Sequence, residues 1–214
     1  QVSKILNFVQ YTIQTRKVNL LVIDNIKRNK QNYTLAVDSK LLEFTISVSG
    51  ANPQVILIDP SKKTLNPRDW FTRLLRLKEV YILNVKHPMI GQWQIQVTSS
   101  SAHSIRITGL SRLIFRHGFS SNPVTDLIRT RRQPMQGSLT YLILEINNKD
   151  DIRNAEQIEL IDLFGNVLVN ETIQESPFIP SFYSTIEKFQ PPIHNSFFYI
   201  RLTGIDSSGH RFQR

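Results

Sequence analysis

Cysteine is absent from all 214 residues, so no disulfide can hold any part of this chain and zinc sites built on thiolates are excluded. No run approaches the roughly 18 consecutive apolar residues that a membrane-crossing helix needs. The string Gly-x-Ser-x-Gly, which exposes a nucleophilic serine on a strand-to-helix turn, does not occur. The histidines at 87, 103, 117, 194 and 210 include no pair at i, i+2 or i, i+4, so one element cannot aim two imidazoles at a metal. What remains must fold by burying apolar surface, and 40% apolar residues can supply the cores.

The residues that are present organise most clearly between Glu79 and Gly109. Val80 and Ile82, then Trp93, Ile95 and Val97, then Ile105 and Ile107 alternate with polar residues. His87-Pro88, Gly91 and the triplet Ser99-Ser100-Ser101 separate these runs. Period-2 alternation sends one face of each strand inward, and the punctuation makes an antiparallel meander. A length of 214 residues suits two modules of about 100 residues each. The spacing predicts a first sandwich from about Asn32 to Leu110, with strands at 33–37, 43–49, 54–58, 80–85, 92–98 and 103–108. Within it, Asn66-Pro67 reads as a helix cap and first position, giving one or two helical turns that lay Phe71, Leu74 and Leu75 over an open end.

Ahead of it, Val2, Ile5, Phe8, Val9, Thr12 and Ile13 recur at spacings of three and four, predicting a helix over residues 1–17. The chain opens on Gln1, as expected of an internal piece of a longer protein. Lys17–Ile23 then runs extended, and Asp24–Gln31 reads as a polar loop. After the first sandwich, residues 110–134 read as a basic connection. Further strands are expected at 138–146, 156–162, 167–171 and 196–203, with Phe164-Gly165-Asn166 as a hairpin turn. Prolines around Phe178, Phe182, Tyr183 and Phe189 suit edge strands and crossing loops. About seven short strands in 100 residues fit an immunoglobulin-like or fibronectin type III-like sandwich.

Charge is uneven. Residues 1–132 carry 20 Lys and Arg against 7 Asp and Glu, whereas residues 133–214 carry 6 against 10. The basic stretches supply the anion-binding candidates Lys62, Lys63, Arg68, Arg112, Arg116, Arg129, Arg131 and Arg132. They form either a solvated face or a patch that attracts a polyanion. Nucleic acid fits poorly, because no aromatics interleave with the charges. Membrane insertion lacks a basic amphipathic helix. Two sequons, Asn32-Tyr33-Thr34 and Asn170-Glu171-Thr172, offer glycosylation at Asn32 and Asn170.

Tempting chemistry elsewhere has plainer readings. Trp93 is in phase with Ile95 and Val97 and belongs in the core, while Trp70 serves either as a lid or as an exposed contact. Ser99–Ser101 beside His103 is a turn between strands. Asp59, Asp69, Asp150 and Asp151 lack the spacing of a calcium loop and read as solvated turns. No catalytic, cofactor-binding or metal-ligating residue is assigned, and no enzyme activity is expected.

Several stretches carry a resemblance. They are Thr15–Leu21, Glu43–Gly50, Val85–Pro88 leading to Gly91-Gln92-Trp93, Thr98–Ser111, Phe115–Ser120 and Phe212–Arg214. Together, and in this order, they resemble the hemicentin-like proteins of the extracellular matrix, in the region between a von Willebrand factor A domain and the first immunoglobulin repeat. The resemblance implies an all-β chain of two tandem antiparallel sandwiches preceded by one helix. Residues 1–24 would be the closing helix of the A domain and a linker, residues 25–112 a galactose-binding-like sandwich, and residues 113–214 an immunoglobulin-like module. The Asp-x-Ser-x-Ser metal loop of an A domain is missing, so that function is not implied. The implied setting is secreted and matrix-bound. The expected partners are matrix or cell-surface proteins and sulfated glycosaminoglycan, and no cofactor is expected.

Overall fold

Alternation becomes strand through most of the chain. The computed structural model describes residues 17–26, 30–69, 71–192 and 197–214, and the chain divides into two units, residues 1–112 and 113–214.

The first unit contains β1 (Lys17–Ile26), β2 (Gln31–Val37), β3 (Leu41–Ser49), β4 (Gln54–Ile58), β5 (Thr72–Arg76), β6 (Val80–Lys86), β7 (Gly91–Thr98) and β8 (His103–Ser111). A five-stranded sheet runs β1-β8-β3-β6-β5 and a three-stranded sheet runs β2-β7-β4. Each pairing is antiparallel. Phe44, Ile46, Leu83, Val85, Ile105 and Ile107 from the larger sheet meet Leu35, Leu57, Trp93, Ile95 and Val97 from the smaller in one core. Each of these side chains contributes about 1.5–3 kcal/mol by leaving water. The unit is a β-sandwich.

The second unit contains β9 (Phe115–Ser120), β10 (Tyr141–Ile146), a 3-10 turn (Lys149–Asp151), β11 (Ile152–Ile161), β12 (Val167–Glu175), β13 (Phe182–Thr185), β14 (Tyr199–Asp206) and β15 (Arg211–Gln213). Its strands run β15-β14-β11-β12-β13-β10-β9. The long strand β12 serves both halves, pairing with β11 through Val167–Thr172 and with β13 through Ile173–Glu175. Ile158, Leu160, Leu202 and Phe212 from one half share a core with Phe119, Leu142, Leu144 and Tyr183 from the other.

Five expectations need correction. The strands over 80–86, 91–98 and 103–111 are not a meander: β6 and β8 lie in the five-stranded sheet with β3 between them, while β7 crosses to the three-stranded sheet, because its apolar face closes the core from the opposite side. Residues 17–24 are not linker: β1 pairs along β8, and Leu20 and Val22 are buried. The segment after Asn66 does not turn into a helix. Asn66 Oδ1 accepts from the Arg68 N–H in a local turn, and Thr72–Arg76 then pairs with β6 as an edge strand that leaves Leu74 exposed. The basic connection contains β9, whose Phe119 and Gly118 are buried. Finally, β13 is not an edge, since it lies between β12 and β10. The helix expected over residues 1–17 falls outside the described residues except at Lys17, which starts β1. Among the described residues the 3-10 turn is the only helical element.

Candidate functional site

Antiparallel register sorts the connections of the first unit between two ends. Val37 stands opposite Gly91, Ile58 opposite Gln94, Glu43 opposite Lys86 and Leu110, and Thr72 opposite Val85. The turns at 38–40, 59–69 and 87–90 and the chain's exit at Arg112 therefore gather at one end. Lys62, Lys63 and Arg68 from the β4–β5 connection and Arg112 from the chain's exit lie at this end and are all exposed.

The lysine turn is built around Asp59. Asp59 accepts from the Ser61 hydroxyl at 2.6 Å and from the Lys63 N–H at 3.0 Å. Those bonds, led by Ser61, hold its carboxyl below the usual carboxylate range. Lys62 takes a left-handed φ of 70° at the apex. Pro60 packs against Gly91, whose φ of 128° and close approach to the proline ring (2.9 Å for an added Cβ) exclude a side chain. This contact places the β6–β7 turn, with exposed Met89 and Ile90, beside the lysines. Sequence reasoning missed those two apolar residues; their signal was an apolar pair inside a turn, anchored by Trp93 Nε1–H donating to the Met89 carbonyl at 2.8 Å.

The opposite end of the unit holds Ser99–Ser101 and His103. Ser99 and Ser100 hydroxyls donate to the Ala51 carbonyl, and the Ala51 N–H donates to Ser101 Oγ at 3.0 Å. The serines clasp two turns. His103 is only 3% exposed, and neither ring nitrogen meets a partner in hydrogen-bond geometry. Burial pushes its pKa below the ordinary value, against a smaller opposing pull from the Ser101 backbone. Its imidazole is neutral at physiological pH.

In the second unit, Tyr141 stands opposite Ser120, and Ile161 opposite Val167 and Tyr199. The connections at 121–140, 162–166 and after Thr185 thus share one end, where Arg129, Arg131 and Arg132 are exposed. Arg129 pairs with Asp126 at 3.4 Å. Arg116 is not part of this group: it stands opposite Glu145 towards the far end of β9 and forms an ion pair with it. The eight basic candidates thus comprise one group of four, one of three and Arg116 apart. Asn32 on β2 and Asn170 on β12 are exposed, each with its sequon threonine also exposed. Among the described residues no group of three or more His, Cys, Asp or Glu could hold a metal ion. Trp70 and His194 lie outside the described residues.

These features describe an all-β protein with several antiparallel sheets and charged loops at their ends. Comparison with known proteins narrows the class. Residues 17–112 match the family described as hemicentin galactose-binding domain-like. The whole chain is 32% identical to hemicentin-1 of Mus musculus over 216 residues and 32% identical to hemicentin-2 of the same species over 220. It spans about 4% of the length of these curated relatives. Among solved structures, a Bacillus licheniformis lipase in propeptide form aligns with 98% of this chain and 47% of its own at 12% identity. The TM-score of that alignment is 0.37. The chain is hemicentin-like, and its first unit is a hemicentin galactose-binding-like domain.

Proposed function

We propose that this chain is a non-enzymatic structural and adhesive segment of a secreted extracellular matrix protein. It spaces a von Willebrand factor A domain from downstream repeats and offers its faces to matrix or cell-surface proteins. The second unit reads as an immunoglobulin-like sandwich, because β9, β10 and β13 stand on one side of β12 and β11, β14 and β15 on the other.

One observation supports spacing above all: no free linker separates the units. Arg112 N–H donates to the Lys40 carbonyl at 3.1 Å. Leu113 is buried in the second core, and its carbonyl accepts from Arg214 Nε at 3.1 Å. Ile114 exchanges hydrogen bonds with Asn147, donating to Oδ1 at 2.8 Å and accepting from its N–H at 3.1 Å. Each connecting residue is hydrogen-bonded within its own unit, which supports a short connection over a long flexible one.

Because the chain has no cysteine, K78C and S207C together place spin labels at those two positions alone. The distance distribution between labels should be single and narrow, and should broaden when about six Gly and Ser residues are inserted after Arg112. A native distribution as broad as that of the insertion variant would refute spacing.

A second reading is favoured by the gathering of Lys62, Lys63, Arg68 and Arg112 at one end. There the first unit would hold a sulfated glycosaminoglycan or another anionic carbohydrate.

A further inference from the structure

We propose that the connection between β9 and β10 is a processing site, cut between Arg132 and Gln133 by a subtilisin-type serine endoprotease that reads clustered arginines. The inference stands on residues of the second unit and does not rest on the spacing role.

The string Arg129-Thr130-Arg131-Arg132 places arginines first, second and fourth before the bond to Gln133, and no other position in the sequence has this pattern. Three guanidiniums at those offsets match a cleft whose subsites are lined with carboxylates, since each planar fork docks on an acid in fixed geometry. The connection runs from Ser121 to Thr140 without a strand of its own. Such a length is beyond the roughly 12–15 residues usual for a structureless loop and typical of functional ones. All three arginine side chains are exposed, and Ile128 just before them is 94% exposed.

Backbone geometry adds a second argument. Arg131 and Phe119 exchange two hydrogen bonds, at 2.7 and 2.9 Å, along the outer edge of β9. Thr130 lies so close over Gly118 that an added Cβ there would come within 1.9 Å of its hydroxyl oxygen. Arg131 is thus already in an extended bridge, while Ile128 and Arg129 lie in a turn closed by the Thr130 N–H donating to the Leu127 carbonyl at 3.2 Å, a turn that unwinds when the segment enters a protease cleft. The segment is also held at a sheet edge by few bonds, the kind of segment that opens without global unfolding. Arg73-Leu74-Leu75-Arg76 offers a contrast inside the same chain. It has arginines first and fourth but lies within β5, paired along β6, and has leucine at the second place.

Cleavage adds water across the Arg132–Gln133 peptide bond. The hydroxyl goes to the carbonyl carbon and the proton to the amide nitrogen, and the new carboxyl passes its proton to the new amine, leaving a carboxylate on Arg132 and an ammonium on Gln133. Strand β9 then belongs to one fragment and β10–β15 to the other. Six register pairs between β9 and β10, the burial of Leu113 and its bond from Arg214 hold the nicked unit together.

The test incubates the intact chain with a purified endoprotease of this specificity and reads the products by mass. Fragments 1–132 and 133–214 are expected, running together on a native sizing column and apart under denaturation. Arg129→Gln and Arg132→Gln should each slow cutting on the order of 100-fold, the cost of leaving an acidic subsite unpaired, with thermal unfolding unchanged. An uncut chain at an enzyme concentration that cleaves a synthetic peptide of residues 125–136 would overturn the proposal. So would cutting after Arg76 instead, or either variant cut at the native rate.

Discussion

The indole of Trp93 meets the ring of Phe44 edge-on, with centroids 5.4 Å apart and planes at 77°. One residue comes from β7 and the other from β3, so this single contact ties the three-stranded sheet to the five-stranded one. Replacing Trp93 with alanine should cost the first unit about 3–5 kcal/mol in denaturant unfolding. A double-mutant cycle with Phe44→Leu and Trp93→Leu should return a coupling of about 0.5–1.5 kcal/mol. A coupling near zero would mean that the two rings are only neighbours.

Arg214 closes the second unit. Its guanidinium is buried and donates to the carbonyls of Leu113 at 3.1 Å and Gln213 at 2.8 Å, joining the first residue of the unit to its last strand. Arg214→Ala leaves the Leu113 carbonyl without that donor. The second unit should lose about 1.5–3 kcal/mol, while unfolding of the first unit, followed by Trp93 fluorescence, stays unchanged. Arg214→Lys should not restore the loss, because an ammonium lacks the planar fork.

His103 makes the first unit sensitive to acid. Its folded pKa lies below the ordinary imidazole value of about 6.5 because burial disfavours the imidazolium. In the pH range between the two values the unfolded chain binds the extra proton, so the contribution is present above the unfolded pKa and is lost as pH falls through the folded one. The unfolding midpoint should therefore drop below about pH 6.5, and His103→Leu should flatten that part of the profile. An unchanged profile in the variant would assign the acid sensitivity to other groups.

The basic end of the first unit yields a salt-dependent prediction. If Lys62, Lys63, Arg68 and Arg112 act as one surface, the chain elutes from heparin well above about 0.15 M salt, where scattered charges are already screened. In that case K62E with K63E shortens retention more than R131E with R132E. Elution below that salt in the native chain would remove the carbohydrate reading and leave the spacing one intact.

Strands with clean alternation were legible in the sequence. Residues 80–86, 91–98 and 103–111 are the three strands read from Val80 to Ile107, although they divide between the two sheets instead of forming a meander, and Phe164-Gly165-Asn166 closes β11 onto β12 as expected. Strands lacking that alternation were not. In β5, adjacent Leu74 and Leu75 mimic helical spacing, and their strand identity comes from pairing with β6. In β9, Arg116, His117 and Gly118 interrupt the apolar pattern, and only the pairing with β10 makes it a strand. In β1, Leu20-Leu21-Val22-Ile23 is apolar on both faces, so the segment was legible as extended but not as a strand of the sandwich. The candidate site was legible by residue type and hidden by position. Lys62, Lys63 and Arg68 lie far along the chain from Arg112, and only the register of β3, β6, β7 and β8 brings their connections to one end.

The rotational diffusion of the two units in the intact chain, measured by nitrogen-15 relaxation, tests the spacing account most directly. Residues of β1–β8 and of β9–β15 should report one shared, anisotropic correlation time, that of a 24.8 kDa particle. Two separate and shorter correlation times, each that of a body about half as large, would contradict it.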